Sequence, residues 1–380
     1  MATSTSHMSA FIDGASKLFL SPILPLLEDK TVTEIMINGH DKIFIEQKGK
    51  VFKTDIQFRD EKALEAAANL ICQFVGKTLT RESPRVDARL PDGSRVHIIG
   101  PPVCQNGISV TIRRFPDKPL VGEDLVRFGA VNQQVLDFLK VCVAMHLNII
   151  VAGGTGSGKT SLLNVLGRYI PDTERILVIE DTAELQIMQE HVVRLEARLP
   201  DNKGRGGVTI RECFHSALRM RPDRVVIGEV RGGEALDLVQ AMTSGHSGAL
   251  ATVHASRPAD ALRRLETLCL YADSGLPLAA IRTQLASAIH MIVQTERLRD
   301  GSRKIIEVAE VLPLNKEQQY ETQTLFAYEI EGVDENGKIT GAHRPAGNLP
   351  TFMDFARRQG YPLDKSQFDR GDVPLPVGVH

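Results

Sequence analysis

Eight consecutive residues have the types and spacing of a loop that binds phosphate groups. Glycines let the backbone turn tightly and approach phosphates with its N–H groups pointing inward. The lysine that ends such a loop contacts the β- and γ-phosphates, and the next threonine holds Mg²⁺. The pattern G-x-x-x-x-G-K-T predicts a site for ATP and Mg²⁺, and it is fitted in full by Gly153, Gly154, Thr155, Gly156, Ser157, Gly158, Lys159 and Thr160.

The residues on either side place this loop between a strand and a helix. An apolar run from Leu147 to Ala152 precedes the loop and predicts a strand. Leu162, Leu163 and Leu166 follow at helical spacing, so the loop opens a helix. A helix N-terminus carries a favourable potential for negative charge. This order favours a phosphate site over the alternative, a glycine-rich turn with an incidental lysine.

Two groups of acidic residues follow later apolar strands. Glu180, Asp181 and Glu184 come at the end of one predicted strand, and Glu229 comes at the end of the next. Ligands of open α/β sheets bind at the carboxyl ends of the strands. We therefore expect these carboxylates to complete a metal and water site beside Thr160. Solvated acids at the starts of loops are the alternative interpretation.

Two histidines lie close together in the following segment. His246 stands in the turn Gly245-His246-Ser247-Gly248, and His254 stands at the end of an apolar strand. A turn histidine and a half-buried histidine are the simplest interpretation. A metal pair is the alternative, but no third ligand lies nearby in the sequence.

The rest of the chain shows two patterns. From residue 31 to residue 115, short apolar alternations predict an antiparallel meander over Glu34–Phe58, a helix that stops at Gly76, and a hairpin at Asp92-Gly93. From residue 125, apolar strands alternate with helices, as in a largely parallel sheet covered by helices. The predicted fold class is therefore α/β, with a smaller N-terminal α+β domain.

The predicted boundaries follow from breaks in these patterns. Residues 1–30 form an N-terminal extension, whose first residues, Met1 to Met8, we interpret as vector-derived. The N-terminal α+β domain covers residues 31–115, and Pro116 and Pro119 place a linker at 116–124. An ATPase domain at 125–315 is followed by a polar C-terminal segment at 316–380, with helix expected only near Phe352–Gln359.

Composition limits the classes of function. The 380 residues include 45 basic and 47 acidic side chains, a formal net charge of -2, and no tryptophan. A near-neutral chain without stacking aromatics is not expected to bind nucleic acid. The five cysteines are widely spaced and form no Cys-x-x-Cys pair, which is typical of reduced thiols in a cytoplasm. No apolar stretch is long enough to predict a membrane span.

Taken together, these motifs resemble those of the ATPases of type II and type IV secretion and of type IV pili. That superfamily shares a P-loop, an acidic box I-E-D-x-x-E, an atypical Walker B ending in G-E-x-R, and a histidine box. Here the last three read Ile179–Glu184, Gly228–Arg231, and Gly245-His246 with His254. The resemblance implies a RecA-like P-loop ATPase domain at 125–315 and a smaller N-terminal α+β domain.

Within the superfamily, three runs resemble the CpaF/TadA branch, the motor of Flp or tight-adherence pili. These runs are Val86–Arg95, Arg194–Arg198 and Ala217–Arg224, and Gly228–Ala235 and Gly341–Gly347 also fit. The chain lacks the four-cysteine zinc insertion of many type II secretion ATPases. That departure weighs against the type II branch.

The resemblance also implies roles for residues. Glu184 corresponds to the general base for the attacking water, and Glu229 corresponds to the glutamate that supports Mg²⁺ and water. Glu180 and Asp181 would help to hold that site, and His246 and His254 would sense the nucleotide. Arginines of the N-terminal domain reach the phosphates in this family; Arg95 and Arg113 match best, with Arg89 and Arg114 as close alternatives.

The biological role implied by the resemblance is that of a motor. Six subunits would form a ring, with nucleotide between the two domains of one subunit and against a neighbour. ATP hydrolysis would drive an inner-membrane platform protein from the cytoplasmic face of the membrane, and so the assembly of a Flp/Tad pilus. Retraction of the same pilus is left open as a second direction of movement. The ring would associate with the membrane through partners. Open alternatives are a type IV secretion or DNA-transfer ATPase and, in another class, a RecA-like nucleic-acid motor or ATP-dependent regulator.

Overall fold

The structure is a computed structural model that describes residues 19–47, 49–90, 92–114, 119–200 and 204–371. The chain divides into two compact units, Met1–Lys118 and Pro119–His380. We call them the N-terminal unit and the C-terminal unit. Residues 1–18 of the predicted extension and residues 116–118 of the predicted linker lie outside the described residues. The remainder of that linker enters a helix at Gly122.

The N-terminal unit is built around one antiparallel sheet with the strand order β3-β2-β1-β6-β5-β4. The predicted meander and the Asp92-Gly93 hairpin are confirmed by the pairings β1–β2, β2–β3 and β4–β5. The elements are β1 (Val32–Asn38), β2 (Ile43–Gln47), β3 (Lys50–Lys53), β4 (Arg85–Arg89), β5 (Arg95–Ile99), β6 (Ser109–Arg113), α1 (Leu24–Glu28) and α2 (Glu61–Phe74).

Alternation along these strands gives the sheet one buried face. Ile35, Ile112 and Val96 occupy paired positions on β1, β6 and β5 and are fully buried. Apolar residues of α2 pack into the same core. Asp60 begins α2 by accepting a hydrogen bond from the N–H of Ala63 at 2.8 Å, which satisfies one donor that the helix itself leaves unpaired. The opposite face of the sheet carries mostly polar side chains, with Met36 and Ile99 among its apolar ones.

The C-terminal unit contains a sheet of nine strands in the order β15-β14-β13-β12-β7-β11-β10-β8-β9. The six strands β12-β7-β11-β10-β8-β9, in that order in the sheet, are parallel to one another. The strands β13, β14 and β15 extend the sheet beyond β12 by antiparallel pairing. The strands are β7 (Ile149–Gly153), β8 (Ile176–Glu180), β9 (Val192–Glu196), β10 (Arg224–Ile227), β11 (Leu250–Val253), β12 (Met291–Arg297), β13 (Arg303–Leu312), β14 (Glu321–Val333) and β15 (Ile339–Pro345).

Helices cover both faces of the central parallel strands, so β7, β8, β10 and β11 are buried and read as continuous apolar runs. Ile149 and Val151 of β7 belong to one core, and Ile150 and Ala152 belong to the core on the other face. The α/β class is thereby confirmed. The helices are α3 (Gly122–Arg127), α4 (Gln133–Ala144), α5 (Lys159–Gly167), α6 (Ile210–Leu218), α7 (Glu234–Thr243), α8 (Pro258–Leu270), α9 (Leu278–Ala288) and α10 (Met353–Arg358), with a 3₁₀ turn at Lys365–Phe368.

The C-terminal segment differs from the expectation that helix is its only regular structure. Between residues 316 and 350 it contains two long strands, β14 and β15, which extend the sheet. Of the thirteen residues of β14, only Leu325 and Phe326 are buried. Because most of this strand is partly solvated on both faces, its sequence lacks the apolar alternation by which a strand is predicted. The helix predicted near Phe352–Gln359 is confirmed as α10.

Across the described residues, no helix combines the length and apolarity that a membrane crossing requires.

Candidate nucleotide-binding site

The glycine-rich loop joins β7 to α5, as its pattern predicts. Gly158 precedes α5 with φ +99°, a conformation that side chains with a Cβ rarely adopt. Gly153 has no room for a side chain, because a Cβ there would lie 2.4 Å from the Oγ1 of Thr295. Ser157 and Thr295 share a hydrogen bond of 2.8 Å between their hydroxyls. The loop is therefore held against β12, the strand that pairs with β7 in the sheet.

Lys159 is buried beneath this loop with 8% of its surface exposed. Its Nζ donates to the carbonyl oxygens of Gly154 at 2.8 Å and Gly153 at 3.1 Å. Burial lowers the pKa of the lysine, and the nearby Glu229 carboxylate opposes that shift. When a nucleotide binds to the loop, this ammonium can donate to phosphate oxygens in place of the two carbonyl oxygens.

His254 lies between this ammonium and the carboxylate of Glu229. Its Nδ1 is 3.4 Å from Nζ of Lys159, and its Nε2 is 3.1 Å from Oε1 of Glu229. The ammonium can only donate, so Nδ1 must accept and Nε2 must carry the proton. Burial, followed by the charge of Lys159, lowers the pKa of His254, which favours this neutral form. The imidazole thus connects the phosphate loop to the acidic strand end.

Arg231 joins the two acidic strand ends. Its guanidinium donates to Asp181 at 2.6 Å and to Glu229 at 2.7 Å. The hydrogen bond to Glu229 contributes most to a raised pKa for this arginine. Burial raises the pKa of Glu229, but the hydrogen bond and charge of Arg231 outweigh it, and the pKa lies below its usual value. Glu229 is therefore a carboxylate at neutral pH.

Glu180 is the deepest of the acidic residues, with 3% of its surface exposed. Its Oε1 accepts hydrogen bonds from the N–H groups of Glu184 at 2.8 Å and Leu185 at 2.9 Å. It thereby shapes the turn that carries Glu184. Burial raises the pKa of Glu180 to about 7. Gly228 makes room for it, because a Cβ on Gly228 would lie 2.9 Å from the Cγ of Glu180.

A small cavity of about 30 Å³ opens between these strand ends. By the usual volume of a buried water it accommodates roughly one or two water-sized groups. Hydroxyl and carboxylate oxygens are the ligands that Mg²⁺ prefers, usually with phosphates and waters completing its shell. The cavity is lined by Thr160, Glu180, Asp181, Thr182, Glu184, Gly228, Glu229 and Arg231.

This donor set fits Mg²⁺ bound together with a nucleotide. Thr160 was predicted to hold Mg²⁺ and Glu229 to support it, and both line the cavity. Within the described ranges, no three histidine, cysteine or acidic side chains form a cage that could hold a metal by themselves. Phosphate oxygens would have to supply the remaining ligands, as is usual for this ion.

His246 is placed differently from His254. It lies in the turn after α7, where its backbone N–H donates to the carbonyl of Ala241 at 3.1 Å. Its Nδ1 is buried without a hydrogen-bond partner. Within the part of the chain that the structure describes, no hydrogen bond or ion pair joins His246 to Lys159, Glu229 or His254. The expectation that both histidines sense the nucleotide therefore has a geometric basis for His254 alone.

Three arginines of the N-terminal unit stand side by side on the polar face of its sheet. Arg113, Arg95 and Arg89 occupy paired positions on β6, β5 and β4. Paired side chains on neighbouring strands lie about 5 Å apart on one face. Arg114 points elsewhere: its guanidinium donates to the backbone carbonyl of Asp29. The geometry thus groups Arg89 with Arg95 and Arg113 and separates Arg114 from them.

Sequence reasoning missed three contributors to this region. No role was assigned to Arg231, although it belongs to the G-E-x-R motif. Thr295 and Arg303 belong to β12 and β13, whose hairpin carries the turn signal Asp300-Gly301. That signal could have predicted the hairpin. It could not have predicted that the hairpin contacts a loop about 150 residues earlier in the chain.

Comparison with known proteins agrees with the motifs. Residues 18–342 match the T2SSE family, described as "Type II/IV secretion system protein". The chain belongs to this family. It is a P-loop ATPase of the type II/IV secretion superfamily, with the two-unit, mixed α/β architecture of such enzymes. The CpaF/TadA branch stays a prediction.

Individual relatives come from several secretion and transfer systems. The chain is 36% identical over 292 residues to a putative conjugal transfer protein of Mycobacterium tuberculosis, which covers 75% of this chain and 82% of that protein. It is 32% identical to the type IV secretion system protein PtlH of Bordetella pertussis, over 76% of this chain and 93% of that protein. The crystal structure of the pilus retraction motor PilT with ADP has 18% identity and a TM-score of 0.56, over 80% of this chain and 84% of that one.

Proposed function

We propose that this ATPase is a hexameric motor that converts ATP hydrolysis into force on a membrane-embedded assembly machine. The observation that carries the proposal is the chain of contacts from Lys159 through His254 and Glu229 to Arg231. These contacts connect the end of the phosphate loop to two acidic strand ends. A change in what Lys159 contacts is therefore transmitted to the carboxylates beside it.

In this proposal Glu184 takes the proton of the attacking water. It lines the cavity with Thr160, and its backbone N–H is fixed by Glu180. Glu229 and Thr160 would hold Mg²⁺, and the bound ion would supply positive charge to the phosphate oxygens. Asp181 keeps Arg231 in place, and Arg231 in turn keeps Glu229 ionised. Phosphoryl transfer needs this kind of positioning and charge stabilisation more than covalent chemistry.

The arginine row of the N-terminal unit supplies further positive charge in the proposal. Arg95 and Arg113 contact the phosphates of the bound nucleotide, and Arg89 is the next candidate. Guanidinium groups suit this role because their planar forks donate two hydrogen bonds to phosphate oxygens. Arg113 also has Glu34 as a neighbour at 3.9 Å, a weak and half-exposed contact that phosphate can replace.

The machine we propose is a Flp/Tad pilus. This finer assignment rests on Val86–Arg95, Arg194–Arg198 and Ala217–Arg224, the runs that resemble the CpaF/TadA branch. The ring would act at the cytoplasmic face of the inner membrane on platform proteins of the pilus, through which it associates with the membrane. Nucleic acid has no part in this proposal, since the chain is nearly neutral.

A type IV secretion or DNA-transfer system is the second candidate. It is favoured by the relatives at 36% and 32% identity, which are described as conjugal transfer and type IV secretion proteins. Both candidates use the same ATPase chemistry and differ only in the membrane partner. Pull-down from membranes with tagged protein distinguishes them: a pilus platform protein supports the first, and a secretion-channel component supports the second.

Steady-state ATP hydrolysis tests the shared chemistry. Lys159→Ala and Glu229→Ala are each expected to lower kcat by at least about 100-fold, the usual effect of removing a group that stabilises the transition state. Lys140→Ala is the matched control, because this lysine forms a surface ion pair with Asp137 on α4. Hydrolysis that survives both site variants would refute the proposed site, and DNA-stimulated, salt-sensitive activity would favour a nucleic-acid motor.

A further inference from the structure

The hairpin formed by β12 and β13 reaches the outer side of the phosphate loop. Arg297 and Arg303 are paired in register across its two strands. The Nε of Arg303 donates to the carbonyl oxygen of Gly156 at 2.8 Å. If Gly158 carried a Cβ, that atom would lie 3.6 Å from the Cδ of Arg303. A Cβ on Gly156 would lie 3.7 Å from the Nη1 of Arg297. Both arginines therefore cover the glycines of the loop.

The contact at Gly156 fixes the direction of one peptide group. A trans peptide is planar, so its carbonyl and its N–H point in opposite directions. When the carbonyl of Gly156 faces Arg303, the N–H of Ser157 must face away from the hairpin. That N–H has only a long hydrogen bond, 3.4 Å, to the carbonyl of Gly154 within the loop. It is therefore aimed at the inner side, where backbone N–H groups of such loops receive phosphates.

The fold of the hairpin does not depend on this contact. Seven residue pairs join β12 to β13, and Arg303 itself is exposed. The Oγ1 of Thr295 anchors the strand independently by donating to the carbonyl of Ala152 at 3.0 Å. Removal of the Arg303 side chain should therefore leave the hairpin paired and affect mainly the orientation of the Gly156–Ser157 peptide.

We propose that Arg303 is a positioning residue for nucleotide binding: it holds the Gly156–Ser157 peptide with its N–H directed at the phosphates. Glycine at position 156 has φ +70° and no side chain, so its own backbone restricts this peptide little, and the Ser157 N–H contributes one long bond of 3.4 Å to Gly154. Without Arg303, the peptide samples orientations that present a carbonyl to the phosphates. Each such orientation repels the ligand and reduces the fraction of molecules competent to bind.

The inference rests on nucleotide binding by the phosphate loop and makes that role more specific. Isothermal titration of the full chain with MgADP is the first measurement. Arg303→Ala is expected to weaken MgADP binding about tenfold, a typical effect for one charge-assisted hydrogen bond near the surface. The KM for ATP should rise by a similar factor, while kcat at saturating ATP changes less than about threefold. Arg299→Ala, in the turn of the same hairpin, is the matched control and should bind as the wild type does.

Hydrogen exchange of the free protein is the second measurement, because a simple loss of charge would not alter it. Arg303→Ala should accelerate exchange of the amides from Gly154 to Gly158 at least about threefold, whereas Arg299→Ala should not. MgADP affinity within twofold of wild type, or unchanged exchange in this loop, would overturn the inference. Failure of the wild type to bind MgADP would instead refute the nucleotide site itself, so the two failures are distinguishable.

Discussion

The buried carboxyl of Glu180 predicts that the stability of the C-terminal unit depends on pH. Its pKa is about 7 in the folded chain, against an ordinary value of 4.5, and burial is the main cause. A raised pKa means that the folded state holds the proton more tightly than the unfolded state. The stabilisation is therefore complete below pH 4.5 and is lost as the pH rises through 7. The difference corresponds to about 3 kcal/mol in the free energy of unfolding.

Glu180→Gln isolates this contribution. The amide is uncharged at every pH, and its oxygen can still accept from the N–H groups of Glu184 and Leu185. We expect the variant to unfold like the wild type at pH 5 but to be more stable than the wild type at pH 8, by up to about 3 kcal/mol.

Urea denaturation without Mg²⁺, measured at intervals between pH 5 and pH 8, provides the test. The transition of the C-terminal unit is identified as the one that MgADP shifts more, because the phosphate loop belongs to this unit. The urea dependence should be equal in the two proteins, so that midpoints can be compared. A stability difference that does not change between pH 5 and pH 8 would refute the argument that burial of Glu180 carries an electrostatic cost.

Three further predictions concern the contacts at the acidic strand ends and at the two histidines. Gly228→Ala would place a Cβ 2.9 Å from the Cγ of Glu180. We expect this variant to lose about 1–3 kcal/mol in free energy of unfolding, measured by thermal denaturation, and to have a lower kcat. An unchanged melting temperature would contradict the close approach. Arg231→Ala removes the guanidinium from which Asp181 and Glu229 both accept hydrogen bonds, so kcat should fall about 10- to 100-fold, and full activity would exclude the bridge from the mechanism. His254→Ala should lower kcat more than His246→Ala, because only His254 contacts Lys159; equal losses in steady-state assays would contradict that distinction.

Local sequence predicted those parts of the fold that are stabilised by local or fully buried interactions. The strands β7, β8, β10 and β11 are buried on both faces, so their apolar runs are unambiguous. The glycine pattern likewise predicted both the loop and the start of α5, because φ at Gly158 and the space at Gly153 leave little choice of residue. The positions of the acidic residues at strand ends followed from the parallel sheet.

Interactions between distant segments could not be predicted in this way. Most residues of β14 are partly or fully exposed, so its sequence does not show the alternation of apolar and polar residues that predicts a strand. Its place in the sheet depends on pairing with β13. The contact of Arg303 with Gly156 joins residues 147 positions apart. The sequence did not indicate which of the two histidines, His246 or His254, contacts the phosphate loop. The fold shows that His254 contacts Lys159. The order of the strands in the sheet determines which distant residues come into contact, and local sequence patterns do not predict that order.

A crystal structure of the chain with Mg²⁺ and a non-hydrolysable ATP analogue would test the central claim most directly. The account predicts the triphosphate between Gly153 and Thr160, with Nζ of Lys159 moved from the two loop carbonyls to within about 3 Å of a phosphate oxygen. Glu184 should face a water beside the γ-phosphate, and Mg²⁺ should contact Thr160. A nucleotide bound elsewhere, or Lys159 still bonded to Gly153 and Gly154 beside a bound triphosphate, would contradict it.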